Sequence, residues 1–120
     1  MMTMTYQSLM KYMSKAKNPV KGRPVGKATR LKMQVIDGIP VIDVVYHKTV
    51  VVRMTPTEIV INNGGYYTPT TAIRINQYLP AGCSVHRRDG SWYYVNRRHA
   101  IVTSWDTEKR ITHAGREIAN

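Results

Sequence analysis

The chain has 120 residues, with 18 Lys and Arg against 7 Asp and Glu, and so carries a formal charge of +11 at neutral pH. That length supports one hydrophobic core, and 42% hydrophobic residues with only 8 Gly and 6 Pro place most of it in the globular class. No apolar run approaches the ~18 residues that a membrane-spanning helix needs, and the N-terminal residues do not read as a secretory signal. The single cysteine, Cys83, has no partner for an internal disulfide or a cysteine-rich zinc site. An intracellular, single-domain protein without metal or other cofactor is the resulting expectation.

The charge is uneven. Lys11, Lys15, Lys17, Lys21, Arg23, Lys27, Arg30 and Lys32 all fall in residues 1–32, which hold no acid. Residues 15–30 also contain Pro19, Gly22, Pro24 and Gly26 and lack large apolar side chains, so residues 1–30 read as a flexible basic arm. Within it, Tyr6, Leu9, Met10 and Met13 recur at helical spacing and suit one short amphipathic helix over 5–13. An acid-free arm can neutralise phosphates, which makes affinity salt-dependent. It can equally be a solvated tail.

Residues 31–120 read as one α+β domain, an antiparallel sheet of five to seven strands with one main helix packed on it. Residues 33–35 and 39–45 flank Asp37-Gly38, a dipeptide suited to the positive φ values of a tight hairpin. Runs over 49–54 and 58–62 predict two further strands of a meander. Asn62-Asn63-Gly64-Gly65 closes the last of these. A helix follows over 69–79, with Thr68 as N-cap and Pro69 in the first turn, stopping at Pro80. Ala72, Ile75 and Leu79, with Ile73 beside them, form its core face and leave Arg74 and Gln77 pointing away. Segments 83–88 and 91–95 around Asp89-Gly90 predict another hairpin, and 100–105 a further strand. Residues 106–120 fit a short strand over 110–113 or a frayed helix equally well.

Four stretches carry a resemblance: Tyr46-His47-Lys48-Thr49-Val50-Val51, Ile59 to Thr68 with its Gly64-Gly65-Tyr66-Tyr67, Thr70 to Asn76 with its Thr-Thr-x-x-Arg-Ile-Asn pattern, and Gly90 to Val95. Together, over about residues 44–95, they resemble a family of small tailed-bacteriophage proteins with no assigned activity. The resemblance implies a phage origin and a setting in the cytoplasm of an infected bacterium, and it supplies no catalytic or binding residue.

Arg87, Arg88, Arg97 and Arg98 bracket Trp92, Tyr93 and Tyr94. Guanidinium groups beside aromatic rings suit single-stranded nucleic acid, since Arg meets phosphate while rings stack on bases. In a chain without Phe, however, Trp92 also reads as a core residue. A phosphate contact is expected from Thr68, Thr70, Thr71 and Arg74 at the helix N-terminus, although capping explains the threonines about as well. Asn76 reads as a structural hydrogen bonder. His47, His86, His99 and His113 lack metal-ligand spacing, and a Cys83/His86 pair would point to opposite faces of one strand. The sequence therefore predicts a binding protein and no enzyme, its partner a single-stranded RNA or DNA held by the arm and the Arg/aromatic patch. The rivals are a phage protein that modulates a host protein and a minor virion component.

Overall fold

A computed structural model describes residues 5–119; residues 1–4, at the start of the predicted arm, and residue 120 lie outside it. In chain order the elements are α1 (Tyr6–Met13), β1 (Arg23–Gly26), β2 (Thr29–Ile36), β3 (Ile39–Tyr46), β4 (Thr49–Met54), β5 (Glu58–Asn62), α2 (Pro69–Asn76), β6 (Cys83–Arg88), β7 (Ser91–Asn96), β8 (Ile101–Trp105), β9 (Glu108–Thr112) and β10 (Glu117–Ile118). A seven-stranded sheet has the order β1-β2-β3-β4-β5-β9-β10, and β6-β7-β8 form a second. All pairings are antiparallel.

β2 to β5 form the expected meander, to which β1, from the predicted arm, adds an unexpected edge strand, and Asp37 and Gly38, at φ +52° and +78°, make the tight turn that dipeptide suits. The second turn dipeptide, Asp89 and Gly90, adopts the same conformation. The single-sheet expectation needs correction. The chain leaves the first sheet through α2, builds a separate three-stranded meander, and returns only at β9 to pair with β5. Side chains from both sheets and both helices close one core. Leu31, Ile42, Val52, Ile61 and Ile111 meet Trp92, Tyr94 and Trp105 there.

Nor is there one main helix, because α1 and α2 have eight residues each. Thr68 caps α2 as expected, accepting from Thr71 N, and Pro69 opens its first turn. The helix ends at Asn76 rather than Leu79. The Asn76 side chain accepts from Val85 N at 2.7 Å and donates to Val85 O at 3.0 Å, pairing with β6 as another strand would. The core side of this segment is Thr71, Ile75, Tyr78 and Leu79, with Ala72 half-buried, whereas Ile73 faces solvent.

The N-terminal segment is not a detached arm. Thr5 and Ser8 form a reciprocal capping box at the start of α1, and Leu9 and Met13, one turn apart, are buried in the core. The following residues are tied down by the backbone. Met33 N donates to Pro19 O, and the Arg30 guanidinium donates to Lys21 O and Gly22 O. A Cβ on Gly22 would lie 2.1 Å from Leu31 O, so this glycine permits close strand approach rather than disorder. Pro24 sits on the edge strand β1, where a missing donor is tolerated.

On the outer face of the first sheet, Asp43 is 3% exposed, held by Arg53 Nε and Nη2 and by Gln34. At the opposite margin Glu117 on β10 is held by Lys109 and Thr103. Burial opposes its ionisation, but the hydrogen bonds from these two residues prevail and keep the carboxyl below its ordinary value.

Two outcomes follow. Met13→Ala should lower stability by about 2–5 kcal/mol in urea unfolding, since it deletes a fully packed core side chain; a flexible arm would give no change. Because the folded-state value of Glu117 is depressed, its contribution is present above the ordinary carboxylate range and lost as pH falls through the depressed value. Glu117→Gln should therefore reduce the loss of urea midpoint between neutral pH and acid, and an unaltered acid limb would contradict the pairing.

Candidate nucleic-acid interface

The predicted Arg/aromatic patch is divided by the fold. Trp92 is 5% exposed and packs on Trp105 with ring centroids 5.2 Å apart, and the Tyr67 ring meets its edge. Tyr94 is fully buried and donates to Gly115 O at 2.7 Å. Burial and the neighbouring Cys83 raise its phenol above the ordinary range, so it stays a donor. Both rings belong to the core, and neither is open to a base. Tyr93 alternates to the other face of the small sheet, half-buried and opposite His86 and Ser104.

Arg87 and Arg88 end β6 just before the Asp89-Gly90 turn, whereas Arg97 and Arg98 follow Asn96, which pairs with Cys83. The two arginine pairs thus sit at opposite ends of a six-residue hairpin, on the order of 20 Å apart at ~3.3 Å per residue. They cannot form one patch. Arg23 lies over the Tyr12 ring at 3.9 Å and donates to Tyr12 O, a structural use. Lys11, Lys15, Lys17 and Lys21 are exposed along α1 and the loop after it, and Lys32 is half-buried on β2 opposite Asp43.

A different convergence takes its place. The β1–β2, β3–β4 and β6–β7 turns and the β5–α2 connection meet at one end of the molecule. His47 N donates to Ala28 O at 2.8 Å, the Arg74 guanidinium reaches Lys27 O, and Gly90 N donates to the Tyr67 hydroxyl at 3.0 Å. Arg87 lies 4.7 Å over the Tyr67 ring. The end therefore gathers Lys27, Lys48, Arg74, Arg87 and Arg88 around Tyr66 and Tyr67, which are 59% and 40% exposed. Asp89, Asp106 and Glu108 border it. Between the β3–β4 turn and α2 lies a cavity of about 390 Å³ lined by Tyr46, His47, Lys48, Tyr66, Thr68 and Thr70.

Asn63 builds this end. Its backbone N–H donates to Thr107 O, its side-chain amide donates to Asp106 O and accepts from Gly65 N, and its carbonyl accepts from Tyr66 N. Gly64, at φ +65°, lies so close to Thr49 that an added Cβ would stand 2.8 Å from its methyl group. Thr68 and Thr71 hydroxyls bond each other and close the first turn of α2, and Thr71 is buried. Thr70 remains exposed. Arg74 does not point away as expected: its Nε is buried without a partner among the described residues, and its guanidinium lies 5.6 Å over the Tyr46 ring.

Tyr46, His47, Lys48, Tyr66 and Asn63 were assigned no binding role from the sequence. One signal was present. The β2–β3 and β6–β7 turns carry Asp-Gly, whereas the two-residue β1–β2 turn carries Lys27-Ala28 and the β3–β4 turn His47-Lys48, with His47 at φ +55°. A turn that forgoes the residues its backbone favours and carries basic ones instead points to use of the side chains.

A sequence profile for the Kyanoviridae Gp96 protein matches residues 8–115. The chain belongs to this bacteriophage protein family. The match extends beyond the 44–95 core on which the resemblance rested, taking in most of α1 and running through β9 into the turn before β10. No curated protein and no solved structure matches the chain. No helix among the described residues is long and apolar enough to cross a membrane.

Asn63→Ala leaves Asp106 O and Gly65 N without their partner. It should lower unfolding stability by roughly 1–3 kcal/mol; a stability within error of the parent would show that the connection is held by other contacts.

Proposed function

We propose that this phage protein binds single-stranded nucleic acid, RNA or DNA, through the end of the seven-stranded sheet where the basic turns meet, acting by binding and not by catalysis. The observation that carries the reading is the gathering of five cations and two exposed tyrosines at that end. Lys27, Lys48, Arg87 and Arg88 would meet phosphates, while Tyr66 and Tyr67 would stack on bases. Stacking is worth ~1–3 kcal/mol per base, and Arg87 over Tyr67 holds one ring in place beforehand. Single strands are favoured because neither eight-residue helix presents a row of Arg, Asn and Gln to a major groove. The proposed setting is the cytoplasm of the infected bacterium, where the phage and host supply such strands.

The rival reading, binding to a host protein, is favoured by one other feature. β1 pairs with β2 only from Thr29 to Leu31, and β4 pairs with β3 only from Ile42 to Tyr46, so the β2–β3 hairpin runs on beyond both neighbours. Val35, Ile36 and Ile39 are exposed on it at 67%, 37% and 47%.

Fluorescence anisotropy with a single-stranded oligonucleotide, repeated across salt concentrations, separates the two. Each phosphate contact should contribute about 0.7 to the slope of log affinity against log salt. The combined substitution Lys27→Ala, Lys48→Ala and Arg87→Ala should therefore lower the slope by about 2, whereas Arg97→Ala with Arg98→Ala should leave it unchanged. Absence of binding at ~50 mM salt, or binding indifferent to salt, would reject the nucleic-acid reading. Oligonucleotide binding abolished by Val35→Lys with Ile39→Lys but untouched by the triple variant would move the surface to the hairpin.

A further inference from the structure

We infer that the cavity between the β3–β4 turn and α2 is a subsite for a single nucleotide, its base held against the Tyr66 ring and its phosphate at the Lys48 rim. This rests on the nucleic-acid reading above and adds a defined ligand class to it. At about 390 Å³ the cavity is at the small end of the ~300–1,000 Å³ typical of ligand pockets, which limits its occupant to about one nucleotide.

The walls suit that occupant. Tyr46 and Tyr66 supply aromatic surface, Val51 an apolar floor, and the Thr70 hydroxyl a group that both donates and accepts. Lys48 is exposed at the rim and lacks an acidic partner among the described residues. The first turn of α2 offers little to an anion, because Pro69 has no N–H and Thr71 N is already taken by Thr68. The charge for the phosphate therefore comes from the turn.

The site is also formed in advance. The Tyr46 ring is flanked by the His47 ring at 4.4 Å and by the Arg74 guanidinium at 5.6 Å, which fixes its plane. Gly64 lets the β5–α2 connection close against Thr49, with the Tyr66 ring beside it at the cavity. Asn63, with each of its polar groups already bonded, anchors that connection and offers nothing to the ligand. A pocket whose rings are held before binding loses little freedom when a base enters.

Titration of the full chain with adenosine and uridine 5′-monophosphate, followed by amide chemical shifts, tests the subsite. Saturable shifts should appear at residues 46–49 and 66–71. Tyr66→Ala and Lys48→Ala, both at exposed positions outside the core, should each weaken binding by about tenfold, the scale of one lost stacking or phosphate contact. Inorganic phosphate alone should bind more weakly than either nucleotide. Shifts absent from these residues, affinity unaltered in both variants, or phosphate binding as well as the nucleotides would each overturn the subsite. Salt-dependent oligonucleotide binding that persists without these shifts would reject the subsite and leave the wider reading standing. Mononucleotide binding without oligonucleotide binding would do the reverse.

Discussion

Asn63 is almost wholly buried, and both its backbone and its side chain are committed. Its main chain ties the end of β5 to Thr107 and Tyr66, and its side chain ties the same point to Asp106 and Gly65. These bonds join the connection that leaves the first sheet to the connection that returns to it. A buried amide left unpaired is costly, so the peptide has little freedom to rearrange once both connections are in place. The direction of the next five residues follows, including the turn that presents Tyr66 and Tyr67 and the cap that starts α2. Asn76 then repeats the device, fastening the end of α2 to Val85 on the second sheet.

This arrangement decides which aromatic residues face water. With no Phe in the chain, Trp92, Tyr94 and Trp105 fill the space between the sheets, where they are buried with Met13, Met54 and the β-branched side chains. Tyr94 is further fixed by Gly115, whose missing Cβ leaves room for Cys83, Asn96 and the tyrosine hydroxyl at once. The tyrosines left for the surface are those of the connections. There they meet basic turns because the β1–β2, β3–β4 and β6–β7 reversals reach the same end as the β5–α2 loop.

Much of the fold was legible because it is local. Asp37-Gly38 and Asp89-Gly90 marked hairpins, β-branched runs marked β4 and β5, and Thr68-Pro69 marked the start of α2. What could not be read depends on distant partners. The stretch 14–22 has the composition of a free tail, yet it is fastened by the Arg30 guanidinium and by Met33 N, neither visible in its own residues. The division into two sheets rests on β9 choosing β5, across more than forty residues. For the site, nearness in sequence misled. Arg87-Arg88 and Arg97-Arg98 bracket one strand and so stand at its two ends, whereas Lys48, Tyr66 and Arg87 are distant in sequence and gathered by the fold. The basic turn His47-Lys48 was the local clue to that gathering.

The central claim is that nucleic acid meets this protein at the end built around Asn63. Ultraviolet crosslinking of the full chain to a single-stranded oligonucleotide, with the attached residues identified by mass spectrometry, tests it most directly. Crosslinks are expected at Tyr66 and Tyr67 and in the 46–49 turn. Crosslinks concentrated instead at Tyr93, at Arg97 to His99, or along the lysines of residues 11–21 would contradict it.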